Sequence, residues 1–165
     1  MRDIVDLLSQ FFSGISDMKV PAEQDLIDYL VRKGSGIINC QAATFFSVDE
    51  NRRTLTFRKS IGPVGGDLTG VTFPYGGVVG ACAEERKGKL VNDAENSPYF
   101  SNKVDKSSGF RTKSVIAVPV IADGKLLGIM EYINSFEGFF NTDDFKAAAI
   151  MANYIAVCIA FSNKK

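Results

Sequence analysis

Apolar residues at Ile4, Leu7, Leu8, Phe11, Phe12 and Ile15 recur every three or four positions, the spacing that lines one face of a helix, and Gly14 weakens its end. Pro21 stands where a second helix can begin, because its fixed φ and missing N–H do no harm in a first turn. Leu26, Ile27, Leu30 and Val31 supply that helix's stripe, and Gly34 and Gly36 are expected to bring it to a close. At Ala42 the period changes to two. Ala42, Thr44, Phe46 and Val48 share one side of a strand, and a second strand runs from Thr54 to Lys59 beyond a polar hairpin loop over 49–53. The glycine-rich stretch 61–70 reads as an irregular loop leading into a short strand at Val71 to Phe73. The small residues of 76–83 suit a short helix packed under a sheet, and Lys89 to Val91 a short edge strand. Two strong strands, Ser114 to Ile121 and Leu126 to Asn134, flank Asp123-Gly124, the favoured two-residue signal for a tight hairpin. A last helix is expected from Thr142, as its N-cap with Asp143 and Asp144 in the first turn, to about Phe161.

The order helix, helix, strands, short helix, strands, helix describes an α+β domain, an antiparallel sheet covered by helices. We read one domain over 1–165, with N-terminal helices in 1–40, sheet and pocket in 41–140 and a C-terminal helix in 141–165. Polar, turn-rich residues fill 93–108 between strands, and long loops inside compact domains are lids or binding loops. The run from Ala147 to Phe161 is more apolar than one helix face needs, so a second face is expected to be covered. The covering partner expected is another copy of the chain, in a homodimer built by the first and last helices.

Composition narrows the chemistry. A chain of 165 residues with 45% hydrophobic and 23% charged residues can bury about 70% of its unfolded surface in one core. Lysine plus arginine equals aspartate plus glutamate at 19 each, so no net field draws it to nucleic acid or anionic lipid. There is no histidine, which removes Ser/His/Asp and Cys/His catalysis and His-ligated metal or haem together. Cys40, Cys82 and Cys158 are widely spaced and odd in number, which points to buried thiols in a reducing, cytoplasmic setting. The N-terminus lacks the uninterrupted apolar stretch of a signal peptide, and the Ala147–Phe161 run falls short of the ~20 residues that span a bilayer. No metal, cofactor or catalytic residue is expected.

Three places could carry binding chemistry. Gly76, Gly77 and Gly80 ahead of a helix either let backbone N–H groups approach an anion or allow close helix-to-sheet packing. Asp105, Ser107, Ser108, Arg111 and Thr112 either pin a small polar ligand or make ordinary caps and turns. Glu131 lies in an otherwise apolar strand, beside Ile129 and Ile133 in period two, and faces either solvent or a pocket.

The stretch opening at Val71, with GVVGACA leading to KLVNDA and SGFRTKSVIAVPV followed by GKLLGIMEYIN, resembles the core of a GAF domain. It is most similar to the cyclic-nucleotide-binding GAF domains of phosphodiesterases and adenylyl cyclases. The resemblance implies a six-stranded antiparallel sheet, terminal helices on one face, and a ligand beneath a lid with short helices on the other. It places a pocket-floor hydroxyl at Thr44 and backbone contacts to the ligand's phosphate at Val78 and Val79. Asp105, Ser108 and Thr112 match polar lid and strand positions, and Glu131 matches a carboxylate pointing into the pocket. Ser60 stands where guanine-binding members place an acidic residue, and Ser101 where they place a lid aromatic. The family's NKFDE signature survives in part as Asn134, Ser135, Phe139 or Phe140, and Asp143-Asp144, so its Lys-to-Asp bridge cannot form from Ser135.

Methionine sulfoxide reductases of this family need cysteines beside the helix start and in the lid, where this chain has Val79 and the cysteine-free stretch Asp93 to Thr112. The expectation is therefore a sensory, non-catalytic domain. Its pocket, bounded by Thr44, Ser60, Val78, Val79, Asp105, Ser108, Thr112 and Glu131, is expected to take a compact anionic or zwitterionic small molecule, a cyclic nucleotide among them. The alternative is a degenerate scaffold that serves dimerisation or protein contacts without a ligand.

Overall fold

A computed structural model describes residues 3–63, 67–99 and 111–164. Helix α1 (Ile4–Ser16) starts at Asp3, whose carboxylate accepts from the Val5 and Asp6 N–H groups at 3.0 and 3.2 Å. Helix α2 (Glu23–Ile38) begins after Ala22, whose N–H donates to the Asp25 carboxylate at 3.0 Å. The glycines expected to end α2 do not end it. Gly34 is a packing position, since a Cβ there would lie 2.6 Å from the Tyr132 hydroxyl, and the helix closes instead at Asn39 in the left-handed region.

The strands are β1 (Cys40–Asp49), β2 (Thr54–Ile61), β3 (Thr72–Pro74), β4 (Lys89–Val91), β5 (Val115–Ala122) and β6 (Lys125–Ser135). Helix α3 (Gly77–Glu85) lies between β3 and β4, a single turn of 3₁₀-helix (Ala94–Asn96) follows β4, and α4 (Thr142–Asn163) ends the described chain. The strands form one antiparallel sheet in the order β3-β2-β1-β6-β5-β4, with the longest strands at its centre. Asp123 and Gly124 both take positive φ in the two-residue turn between β5 and β6, as that tight hairpin requires.

Period two divides the sheet into two faces. Ala43, Phe45, Ile116, Val118, Met130 and Tyr132 point to α1, α2 and α4 and build the larger core. Phe46, Leu55, Phe57, Val115, Ala117 and Ile129 point the other way, to α3. Helix α4, with 22 residues, has the length and apolar character of a membrane span, and here its inner face is core, with Ala148, Met151, Ile155 and Ile159 fully buried. Its cap is Asn141 rather than Thr142: the Asn141 side chain accepts from the Asp144 N–H at 2.8 Å while Asp144 accepts from the Asn141 N–H at 2.9 Å. That reciprocal pair also gives the buried Asp144 of the partial NKFDE signature a structural task at the helix start.

Candidate functional site

The α3 face of the sheet carries a polar row that no local pattern announces. Lys89, Ala117, Glu131, Thr44 and Ser60 stand directly opposite one another on β4, β5, β6, β1 and β2, and directly opposed residues share a face. Ala117 belongs to the apolar cluster with Val78, Val79 and Cys82 of α3, so the whole row looks toward that helix. Glu131 therefore faces the α3 side and not the helical core. Strands lie about 4.8 Å apart, which sets the Lys89 and Glu131 backbones about 10 Å from each other.

Ser60 reaches the row because of a bulge. Phe46 pairs with Phe57 but Phe45 pairs with Lys59, so one residue, Arg58, is skipped, and its guanidinium turns to Gln24 of α2 at 2.9 Å. The shift brings Ser60 opposite Thr44, and their hydroxyls hydrogen-bond at 2.9 Å. Thr44 is buried and Ser60 half-buried.

Helix α3 starts above this face. Gly77 has φ 65°, a left-handed conformation that suits glycine, and Gly80 permits close packing, since a Cβ would fall 2.9 Å from the Tyr75 carbonyl carbon. The two readings of the glycine cluster thus divide: Gly80 serves packing, and Gly77 shapes the helix start. Gly76 offers no side-chain cap, and the first N–H groups of a helix have no intrahelical acceptor. The Val78 and Val79 side chains are buried in the apolar cluster, leaving their backbones as the groups able to meet an anion.

Cys82 lies fully buried on α3. Burial pushes its thiol up to about 12, with the Glu131 carboxylate adding to the shift and Lys89 opposing it. That coupling places Glu131 and Lys89 electrostatically next to α3. A thiol held protonated at neutral pH is a poor nucleophile.

Lys89 is the member of the row that sequence reasoning misses, because a lysine in a short edge strand carries no signal. Its ammonium pairs with Glu85 and lies 5.1 Å from the centre of the Tyr99 ring. Thr112 is buried just before β5. Asp105 and Ser108, like Ser101, lie outside the described residues. Arg111 and Glu95, at the two ends of the intervening stretch, form a bidentate pair at 2.5 and 2.9 Å that holds the Glu95 carboxyl below its usual range.

Asn134 gives the site its mechanical support. Its Oδ1 accepts from the Lys113 and Ser114 N–H groups at 2.7 and 3.2 Å, and its Nδ2 donates to Gln41 Oε1 at 3.0 Å and the Arg111 carbonyl at 2.8 Å. It does so at φ 59°, a region Asn tolerates better than most residues. The Asn92 amide similarly clasps the buried Phe140 through both backbone groups, at 2.9 and 2.7 Å.

Other proteins share this fold. The family model that describes the GAF domain matches residues 21–160. The chain is 27% identical over 164 residues to the dual 3',5'-cyclic-AMP and -GMP phosphodiesterase 11A of Takifugu rubripes, covering 96% of this chain and 17% of the relative. Against the cone cGMP-specific 3',5'-cyclic phosphodiesterase subunit alpha' of Mus musculus it is 29% identical over 91 residues, 54% of this chain and 11% of the relative. The chain thus spans less than a fifth of either relative. Among solved structures, the GAF domain of a phosphoenolpyruvate-protein phosphotransferase from Coxiella burnetii superposes with TM-score 0.83 at 17% identity, over 98% of this chain and 95% of that one. Free methionine-R-sulfoxide reductase from Neisseria meningitidis, in complex with its substrate, superposes with TM-score 0.79 at 18% identity, over 98% and 90%. At such identities the likeness is one of fold.

Proposed function

Since the chain belongs to the GAF domain family, we propose that it is a regulatory sensor that holds a compact anionic or zwitterionic ligand between the polar row and the start of α3. The cyclic nucleotides named in its phosphodiesterase relatives are the first candidates. The observation that carries this reading is the cross-strand set Glu131, Thr44 and Ser60 beneath a helix whose first N–H groups have no side-chain cap. In this reading the N–H groups of Val78 and Val79 receive the anionic group, Glu131 accepts from an N–H edge of the ligand, and the hydroxyls orient it. Ser60 offers no charge to a guanine edge, so preference between guanine and adenine is weak. Asp105, Ser108 and Thr112 are assigned the lid side of the same pocket.

In this reading the domain binds rather than catalyses: the sequence has no histidine, and among the described residues the Cys82 thiol is held protonated by burial. The ligand's effect passes through the terminal helices of a homodimer. A second reading, a scaffold without a ligand, draws on one observation: Thr44 and Ser60 already satisfy one another at 2.9 Å.

A thermal-shift screen with cyclic AMP, cyclic GMP, nucleobases, amino acids and small carboxylates separates the two. A ligand at one hundred times its Kd stabilises by about 2.7 kcal/mol. A shift abolished by Glu131→Gln supports the sensor, and no shift with any member of the panel supports the scaffold.

A further inference from the structure

Of the five residues in the cross-strand row, Lys89 alone carries a positive charge. Its side chain is 16% exposed, whereas that of Glu85, the carboxylate it pairs with, is 47% exposed. The pair is therefore lopsided. The carboxylate can return to water at little cost, while the ammonium, beside the Tyr99 ring, has far less water to turn to. Ion pairs with one partner this exposed contribute about 0–1 kcal/mol, so Glu85 is readily displaced. Helix stability does not account for Glu85 either. It is the last residue of α3, where the helix dipole favours a cation and opposes a carboxylate. The strand that carries Lys89 is fixed, since a Cβ at Gly88 would fall 2.6 Å from the Phe145 ring of α4, but the lysine's four-carbon stem is free to turn.

We propose that Lys89 is a charged anchor of the pocket, and that an acidic group of the ligand, a carboxylate or a phosphate, draws it away from Glu85. The proposal rests on the ligand reading above and names the residue that selects for negative charge. Glu85 and Val78 stand at opposite ends of α3, and Lys89 shares a sheet face with Glu131. Turning back along the helix, the ammonium adds a full positive charge to the partial charges of the Val78 and Val79 N–H groups. A ligand that carries a negative charge replaces the one that Glu85 withdraws. An uncharged ligand leaves Lys89 with Glu85, because parting them would strand a shielded ammonium without a counter-charge. Glu85 thus acts as an internal competitor for the ligand's acidic group.

Titration calorimetry of the full chain tests this, with cyclic AMP as the phosphate probe, succinate as the carboxylate probe and adenosine as the uncharged control. Whichever anion binds names the acidic group. Lys89→Gln is expected to weaken its binding by about tenfold or more, as loss of a charge-assisted hydrogen bond does, and Lys89→Arg, which keeps the charge, to restore most of it. Glu85→Gln is expected to tighten binding by about two- to fivefold, the worth of the ion pair it removes. That gain should vanish when Glu85→Gln is combined with Lys89→Gln, an outcome that a merely structural role for either residue does not produce. Adenosine should respond to neither change. Anion binding indifferent to both single variants, or adenosine binding weakened by Lys89→Gln as much as anion binding, overturns the proposal and leaves the sensor reading standing. No binding of either anion to the wild type overturns the proposal together with the pocket reading beneath it.

Discussion

Removing one oxygen should make this protein more stable. Tyr132 points from β6 into the helical core, where its ring is fully buried and its hydroxyl has no hydrogen-bond partner among the described residues. Burial also pushes its ionisation above the ordinary tyrosine range, as an uncompensated polar group demands. A buried group without a partner costs about 1–3 kcal/mol in desolvation. Tyr132→Phe removes that cost and forfeits only the oxygen's own contacts, each worth about 0.1–0.2 kcal/mol. We expect a net gain of about 1–2 kcal/mol, which for a domain of this size raises Tm by about 2–4 °C per kcal/mol. Gly34 supplies an internal control. A Cβ there lies 2.6 Å from the Tyr132 oxygen but 3.3 Å from the nearest ring carbon, so Gly34→Ala should be costly in the wild type and much less so when combined with Tyr132→Phe. In the double variant the helix propensity of alanine, about 1 kcal/mol better than glycine's, is free to count. Urea unfolding of the four proteins, followed by circular dichroism, reads out the cycle. A destabilised Tyr132→Phe with unchanged m-value, or additive effects of the two changes, refutes the reasoning and reveals a partner for the hydroxyl.

Asn134→Ala should lower stability by about 1–3 kcal/mol, since four hydrogen bonds end on one amide at positive φ; Asn134→Gly should cost less, and urea midpoints that rank the two the other way contradict this. Cys82 links stability to alkaline pH: its folded thiol, pushed up to about 12, keeps its proton while the unfolded thiol ionises near its ordinary value. The unfolded state then binds fewer protons, so above about pH 9 stability falls by up to about 1.4 kcal/mol per pH unit from this group. Cys82→Ala should flatten that fall, as denaturation at pH 8, 9 and 10 would read. The same shift predicts that a thiol reagent leaves Cys82 unmodified in the folded chain at pH 8, and rapid labelling there without unfolding would contradict it.

How much was legible follows the range of each interaction. The Asp123-Gly124 hairpin was readable because two adjacent residues set it, both at positive φ. The orientation of Glu131 was narrowed by period two to a choice of face, and that choice needed the partner strands, since only pairing with Ala117 and Thr44 ties it to α3. The placement of Ser60 depended on a bulge at Arg58, a slip in register that leaves the alternation of β2 unmarked. Lys89 joined the row through three successive cross-strand pairs and so lay beyond any local pattern. Gly34 misled because helix propensity was overruled by a contact with Tyr132, nearly a hundred positions along the sequence. Thr142 misled by one position, the cap falling to Asn141 through its exchange with Asp144.

The central claim, a regulatory pocket built on Glu131, Thr44 and Ser60 beneath α3, is tested most directly by titration calorimetry of the full chain with cyclic AMP and cyclic GMP. The account predicts binding of both with affinities within about one order of magnitude, because Ser60 supplies no charge-assisted bond worth about 1.5–3 kcal/mol to a guanine edge. It also predicts weaker binding of both to Glu131→Gln. Tight, selective binding of cyclic GMP contradicts the specificity argument, and no heat from either nucleotide contradicts the cyclic-nucleotide sensor.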